Sequence, residues 1–395
     1  MGGGKKIIDF LEYSRGLEGY HIENRRFLHS HPELGTKLPE TEGYVKKKLR
    51  EMGCGYRVIP HGGLVAEMGN RTGKTILLRA DMDALPMEEQ SGLPFSSLNR
   101  GRAHTCGHDI HTAFLLGAAR MLKEREKELS GTVKLVFQAG EETLEGAQEM
   151  IRAGILENPA VDAAVGIHVQ PTLMTGYLNY PAGTFLASSD TFEIRIQGKG
   201  GHGGQPHLGI DPINVAAHII LALQSLQVKE VAADMPVVLN VCQVEAGSAS
   251  NIVPDTARLS GTVRTYDDVA CRKLKMRMRQ IVEGTAQMFG AVGELIFAEQ
   301  CPCTVNDPEL AGFFSESLRH FGAGFITDGD YKMQVSDDFG FYTQIVPSVM
   351  FVIGCGSREG GQGHNHSPYV IYNEEVLVTG AALLAHCAWD WLEKH

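Results

Sequence analysis

The sequence predicts an α/β protein in two parts: a mostly parallel open-sheet domain and a ferredoxin-like α+β domain inserted into it. Three observations point there. Short, wholly apolar runs alternate with helical periodicity over the first 181 residues, the pattern of a sheet covered on both faces. From residue 182 the strands alternate polar and apolar, and the elements follow the order β-α-β-β-α-β of a ferredoxin-like unit. After residue 299 the helix and buried-strand alternation returns. Residues 1–181 and 300–395 should therefore form one discontinuous domain, and residues 182–299 the insert.

Taken in order, Gly19–Ser30 and Thr41–Met52 have helical periodicity. Thr75–Arg79 reads as a short buried strand that ends at Asp81-Met82-Asp83. An apolar helix is expected over Thr112–Met121. Strands Thr132–Gln138 and Ala163–Val169 follow, the first ending just before Glu141-Glu142 and the second carrying His168. In open α/β sheets ligands bind beyond the carboxyl ends of strands, and those residues lie there. Pro181-Ala182-Gly183 marks the change of pattern. The insert should then run through strand Thr191–Gln197, helix Asp211–Leu226, strands Val237–Glu245 and Ala257–Thr265, helix Asp268–Met288 and strand Glu294–Ala298. The stretch Val376–Trp389 is shorter than the roughly 18 apolar residues of a membrane span and carries His386, so it reads as a packed helix.

Composition narrows the function classes. With 395 residues, 43% of them hydrophobic and 21% charged, the chain can build two ordinary globular cores. A formal charge of -11 argues against a nucleic-acid binder, which needs a basic face. The first ten residues, MGGGKKIIDF, lack a signal-peptide apolar region, and Lys6 stands where a myristoylation site needs Ser or Thr. Eight cysteines are too sparse for a disulfide framework, so reduced thiols and the cytosol are expected, and with no apolar run long enough to span a bilayer no membrane partner is expected. Cys301-Pro302-Cys303 reads as a strand-exit turn.

The densest chemistry is Cys106-Gly107-His108-Asp109-Ile110-His111, just ahead of the apolar helix. A thiolate can bridge two cations, and a neutral imidazole suits Zn, Mn, Co or Ni. The alternative is a buried cysteine beside a helix-capping cluster. Asp109 could cap the helix, and His111, three residues past His108, shares its side; both could orient ligands. Glu141 and Glu142 would point apart on an extended segment, one toward a cation and one toward substrate as general base. Equally, two glutamates could merely decorate a helix N-terminus. His168 stands at a strand end, and His364 and His366 cannot both face one site if that segment is extended, which favours His366.

These residues resemble the zinc-dependent aminoacylase and carboxypeptidase family, and most closely its amidohydrolase branch of hippurate hydrolases, N-acyl-amino-acid amidohydrolases and auxin-conjugate hydrolases. The resemblance runs from Arg26-Phe27-Leu28-His29-Ser30-His31-Pro32-Glu33 to His366-Ser367-Pro368. It includes LRADMDALP (78–86), HTCGHDIHTA (104–113), FQAGEE (137–142), GIHVQP (166–171), GKGGHGGQPHLGIDPI (198–213), NIVPDTARLSGTVRT (251–265) and SDDFGFY (336–342). It implies two divalent cations per subunit held by Cys106, His108, Glu142, His168 and His366, with Cys106 shared and Glu141 as general base. It further implies that His202 polarises the scissile carbonyl and that Asn251 and Arg264 hold the substrate's carboxylate. The wider family has histidine where Asp81 stands, the thiolate branch has Asp, and Asp83 is expected to support a ligand. The chain departs from the branch at Ala139-Gly140, usually Pro-Ala, and at Asp337, usually Glu.

The expected reaction is hydrolysis of an N-acyl amino acid. A dipeptidase or carboxypeptidase on the same site, a cysteine hydrolase using Cys106, and a non-catalytic binding protein are the rivals. His202 lies in a loop with five glycines between positions 198 and 204, which could equally be a plain flexible turn, and Arg264 ends an alternating strand, where surface ion pairs are common. The resemblance also implies a homodimer through the insert, with hinges near residues 181–184 and 299–302.

Overall fold

The computed structural model describes residues 8–321, 325, 332–356 and 363–395. They form two compact units: one from Met1–Gly183, Val305–Tyr331 and Phe341–His395, the other from Thr184–Thr304 and Lys332–Gly340.

A seven-stranded sheet organises the first unit, in the order Tyr56–Ile59, Gly63–Gly69, Thr132–Gln138, Thr75–Asp81, Ala163–Met174, Ser348–Gly356, Leu178–Asn179. Its four central strands run parallel. Three of them, Thr75–Asp81, Thr132–Gln138 and Ser348–Gly356, are buried at every position, as continuous apolar runs predict. Register aligns Asp81 with Gln138 and His168 with Val352, so the chain leaves these strands on one side of the sheet. Helices His108–Glu124 and Val376–Lys394 pack on each other and on the Thr75–Asp81 strand. Each fully buried Leu, Val or Phe here is worth roughly 1.5–3 kcal/mol over exposure.

The hairpin Tyr56–Gly69, antiparallel at one edge, escapes a search for apolar runs because its outer strand is half exposed. The strand expected over Ala163–Val169 continues through Pro171 to Met174.

In the second unit the sheet order is Val237–Ala246, Thr256–Thr265, Ser189–Gln197, Val292–Cys301, antiparallel throughout. Phe192, Ile194, Leu259 and Val263 face helices Pro212–Lys229 and Asp268–Met288 through Ile219, Leu223, Met278 and Val282. The ferredoxin-like arrangement is thus present. Asp211 and Asp267 cap the two helices by accepting the Ile213 and Ala270 N–H groups at 2.9 and 2.8 Å. Lys332–Gly340 belongs to this unit, not to the first, because Val335 O accepts the Ala187 N–H at 3.0 Å and Met333 bridges Leu186. The Val292–Cys301 strand ends at Cys301, and Cys301 and Cys303 are both buried thiols, with Cys301 Sγ 3.3 Å from Asp337 O and Cys303 Sγ 3.4 Å from Thr265 O.

Candidate metal centre

Five segments of the first unit meet at the carboxyl side of the sheet. Cys106 Sγ lies 3.4 Å from His168 Nε2. His366 Nε2 lies 3.4 Å from Glu142 Oε1. His108 Nε2 is 3.9 Å from Glu141 Oε2, 4.0 Å from Glu142 Oε1 and 3.8 Å from Asp81 Oδ2. Cys106, His108 and His168 form one group of donor atoms within 4.8 Å of one another; Cys106, Glu142 and His366 form a second, and His108, Glu141 and Glu142 a third. All six residues proposed as ligands or base in this unit are therefore brought together.

Neighbouring groups decide which atom of each ligand faces inward. His168 Nδ1 donates to Val169 O at 2.8 Å, which leaves the Nε2 lone pair toward Cys106. The Val169 N–H donates to His111 Nε2 at 2.9 Å, so the His111 proton sits on Nδ1 and goes to Asp81 Oδ1 at 2.6 Å. With both nitrogens engaged, His111 holds Asp81 in place. Arg79 Nη1 takes the other Asp81 oxygen at 2.6 Å. Asp83 accepts the N–H groups of Glu141 at 3.0 Å and Glu142 at 3.2 Å, and its Oδ1 lies 3.6 Å from His108 Nδ1. One buried carboxylate thus supports Glu141, Glu142 and His108.

The local backbone differs from a plain strand exit. Glu141 and Glu142 lie in a turn, not on an extended segment, so their carboxylates do not point apart; both approach His108 Nε2. Gly140 enters this turn at φ 71, and an added Cβ there would meet Thr36 Cγ2 at 2.6 Å. Gly107 has φ 92 and a Cβ would meet Val169 Cγ2 at 2.3 Å, so glycine is required between Cys106 and His108. His366 also sits in a turn, at φ 65, rather than in extended chain, while exposed His364 bonds Asn365 O.

Electrostatics favour a cation. Asp81, Asp83, Glu141 and Glu142 crowd His108, with Arg79 beside Asp81. Burial pushes His108 down, but Asp81, Asp83 and Glu142 outweigh it and lift the imidazole to about 10. Burial, Glu142 and Glu141 push the Cys106 thiol well up. Both His108 nitrogens and Glu142 Oε1 are buried without a hydrogen-bond partner among the described residues. Buried polar atoms normally find partners. A thiol, imidazoles and carboxylates around such orphaned atoms suit Zn, Mn, Co or Ni, so the donor set fits divalent metal.

Asp109 departs from expectation. The helix cap is Gly107, and Asp109 Oδ2 turns to Arg25 Nε at 3.1 Å and His29 Nδ1 at 2.8 Å. His29 Nε2 meets Glu89 Oε1 at 3.0 Å. No local pattern signals this buried network under the helix start; Arg25 and His29 lie beside and within the RFLHSHPE stretch. For Arg79, likewise unanticipated, its place in LRADMD is the available signal. In the second unit, His202 lies on a small ribbon where it pairs with Ile252, and Asn251 sits in the turn just before that partner strand. The Gly204 N–H donates to His202 Nδ1 at 3.0 Å, placing the His202 proton on Nε2. Arg264 is half buried, with Nη1 3.5 Å from Ser336 Oγ. Asp337 Oδ1 accepts the Phe339 N–H at 2.8 Å.

Known proteins share this architecture. The chain is 36% identical over 375 residues to the N-acetylcysteine deacetylase of Bacillus subtilis, covering 94% of this chain and 97% of that protein. It is 37% identical over 397 residues to IAA-amino acid hydrolase ILR1-like 4 of Arabidopsis thaliana, covering 98% and 87%. The crystal structure of the Bacillus subtilis YXEP protein, described as a dinuclear metal binding peptidase from M20 family, superposes with a TM-score of 0.83 at 34% identity, over 96% of this chain and 100% of that one. The family profile of peptidase family M20/M25/M40 matches residues 77–390, a span that takes in every ligand candidate, and the chain belongs to that family.

Proposed function

We propose that this chain is an amidohydrolase that binds two divalent cations, Zn, Mn, Co or Ni, and cleaves N-acetyl, N-benzoyl or N-arylacetyl amino acids to a carboxylic acid and a free amino acid. The convergence of Cys106, His108, Glu142, His168 and His366 beside Glu141 carries this reading. The cations supply Lewis acidity that polarises an acyl carbonyl and acidifies water. Glu141, buried and with its backbone N–H tied to Asp83, takes the proton of the attacking water and passes it to the leaving amine. His202 carries its proton on an exposed Nε2 and serves as the donor to the carbonyl oxygen as negative charge develops there. Arg264 and Asn251 supply donors for the amino-acid carboxylate. The deacetylase and amino-acid hydrolase names of the relatives support amide cleavage.

The test is elemental analysis of freshly purified protein with a panel of acetyl-, benzoyl- and arylacetyl-amino acids beside free dipeptides. Two ions per chain and turnover of acyl-amino acids are expected. Loaded protein inert on the whole panel would leave a binding protein; turnover of dipeptides alone would make it a dipeptidase. Resistance to chelators combined with iodoacetamide sensitivity would assign the chemistry to a Cys106 nucleophile.

The same reading includes a cytosolic homodimer that closes near residues 181–184 and 299–302. None of the eight cysteines forms a disulfide among the described residues, which suits a reducing compartment. Strand Val237–Ala246 is a sheet edge. Helix Pro212–Lys229 has no acidic residue and exposes Ile213, Leu221 and Val228 by 46, 62 and 73%, a surface suited to isologous pairing. Mixing inactive Glu141→Gln and His202→Ala subunits should restore part of the activity if His202 serves the partner's site. No recovery after verified subunit exchange means each site uses its own His202.

A further inference from the structure

We propose that Tyr372 and Asn365 are positioning residues: one phenol–carboxamide latch clamps the main chain beside Cys106, His168 and His366 and so sets the spacing of three ligand segments. The proposal rests on the metal-binding reading above. Thr105 precedes Cys106, Val169 follows His168, and Asn365 precedes His366. Tyr372 Oη lies 2.8 Å from Thr105 O and 3.0 Å from Asn365 Oδ1. A phenol has one proton, shared here between two carbonyl oxygens. The other end of the Asn365 amide donates to Val169 O at 3.3 Å, the same carbonyl that takes the His168 Nδ1 proton at 2.8 Å. Thr105 O in turn accepts the His366 N–H at 2.8 Å.

Two further observations make the latch more than decoration. His366 holds φ 65, a conformation that a histidine keeps only where its surroundings impose it. Tyr372 is 2% exposed, and a Cβ on Gly107 would lie 3.6 Å from its Cζ and 2.3 Å from Val169 Cγ2, so phenol, Cys-Gly-His turn and His168 strand are packed without slack. Tyr372 Oη is engaged with the two carbonyl oxygens of Thr105 and Asn365. It acts through the backbone, tying together segments far apart in sequence.

The experiment titrates metal-free full-length protein with cobalt(II) against a chelator and follows the thiolate-to-cobalt absorption band. Tyr372→Phe keeps the ring and removes the hydroxyl. Affinity should fall roughly 10–100-fold, the usual effect of losing a partner that orients ligands. The melting temperature of the metal-free variant separates this from general destabilisation, which would lower melting and leave affinity intact. Asn365→Ala should weaken cobalt in the same sense, and the double variant should be no worse than the poorer single, because both belong to one latch. Should Tyr372→Phe fail to fold, the half-buried Asn365 substitution carries the test alone. Wild-type affinity in the folded variants overturns the latch. A wild-type chain that shows no thiolate–cobalt band overturns the metal reading itself, and the latch with it.

Discussion

Asp83→Asn should loosen the centre without removing a proposed ligand. The Asp83 carboxylate accepts the Glu141 and Glu142 N–H groups on separate oxygens, at 3.0 and 3.2 Å, and faces His108 Nδ1 at 3.6 Å. Asparagine has nearly the same shape but only one acceptor oxygen. Whichever way the amide turns, one backbone N–H meets an NH2 group in a fully buried place. A hydrogen bond to a charged acceptor contributes about 1.5–3 kcal/mol, so a loss of that order is expected. If it falls wholly on the arrangement of the base and ligands, about 1.4 kcal/mol per factor of ten makes cation affinity roughly 10–100-fold weaker. Turnover should fall as well, because the same oxygens orient Glu141. Chelator competition on the metal-free variant, with hydrolysis of an acyl-amino acid at saturating metal, reads the two effects separately. A folded variant with wild-type affinity and turnover would refute the reasoning.

Other outcomes follow from the same geometry. Glu141→Gln should retain metal by elemental analysis while turnover drops about 10²–10⁴-fold, the usual worth of a general base; near-normal turnover would remove Glu141 from the mechanism. Cys106→Ala should leave at most weak occupancy of one site, because Cys106 belongs to two of the donor groups; two tightly held ions would exclude a bridging thiolate. A pH dependence comes from the His29 network. Burial opposes ionisation of Glu89, but His29 and Ser91 outweigh it and bring the carboxyl from the usual 4.5 to about 2. Its depressed folded value means that it stabilises the fold above pH 4.5, and this is lost as pH falls toward 2. The stability gap between metal-free wild type and Glu89→Gln should therefore be full above pH 4.5 while His29 keeps its proton, and close as pH falls toward 2; a gap independent of pH would refute the pairing. His29 works in the opposite direction: burial lowers it, but Asp109 and Glu89 raise it above 6.5, so its contribution is complete below that pH and fades as pH rises through the higher folded value.

Much of the centre was legible because its parts are short and chemically dense. A thiol and two imidazoles within six residues, and carboxylates or histidines just past apolar runs, need only local pattern and the rule that open sheets bind ligands at strand ends. The insert was legible for the same reason: Thr191–Gln197 alternates with period two where the earlier strands are apolar throughout. Its helices begin close to where Asp211 and Asp267 can cap them.

What only the tertiary structure decided is where each polar atom points. Asp109 sits inside the Cys106–His111 motif, yet its partners come from a helix some 80 residues earlier and the cap of the following helix is Gly107. Glu141 and Glu142 share one side because Asp83 gathers both of their N–H groups into a turn, and no periodicity in FQAGEE records that. The proton position on His111 follows from the Val169 N–H, 58 residues away. Hydrophobic periodicity is a local property of the chain and survives in the sequence. Hydrogen-bond choice among buried groups depends on which distant donor reaches a site first sealed from water, and that is settled only when the strands and loops have packed.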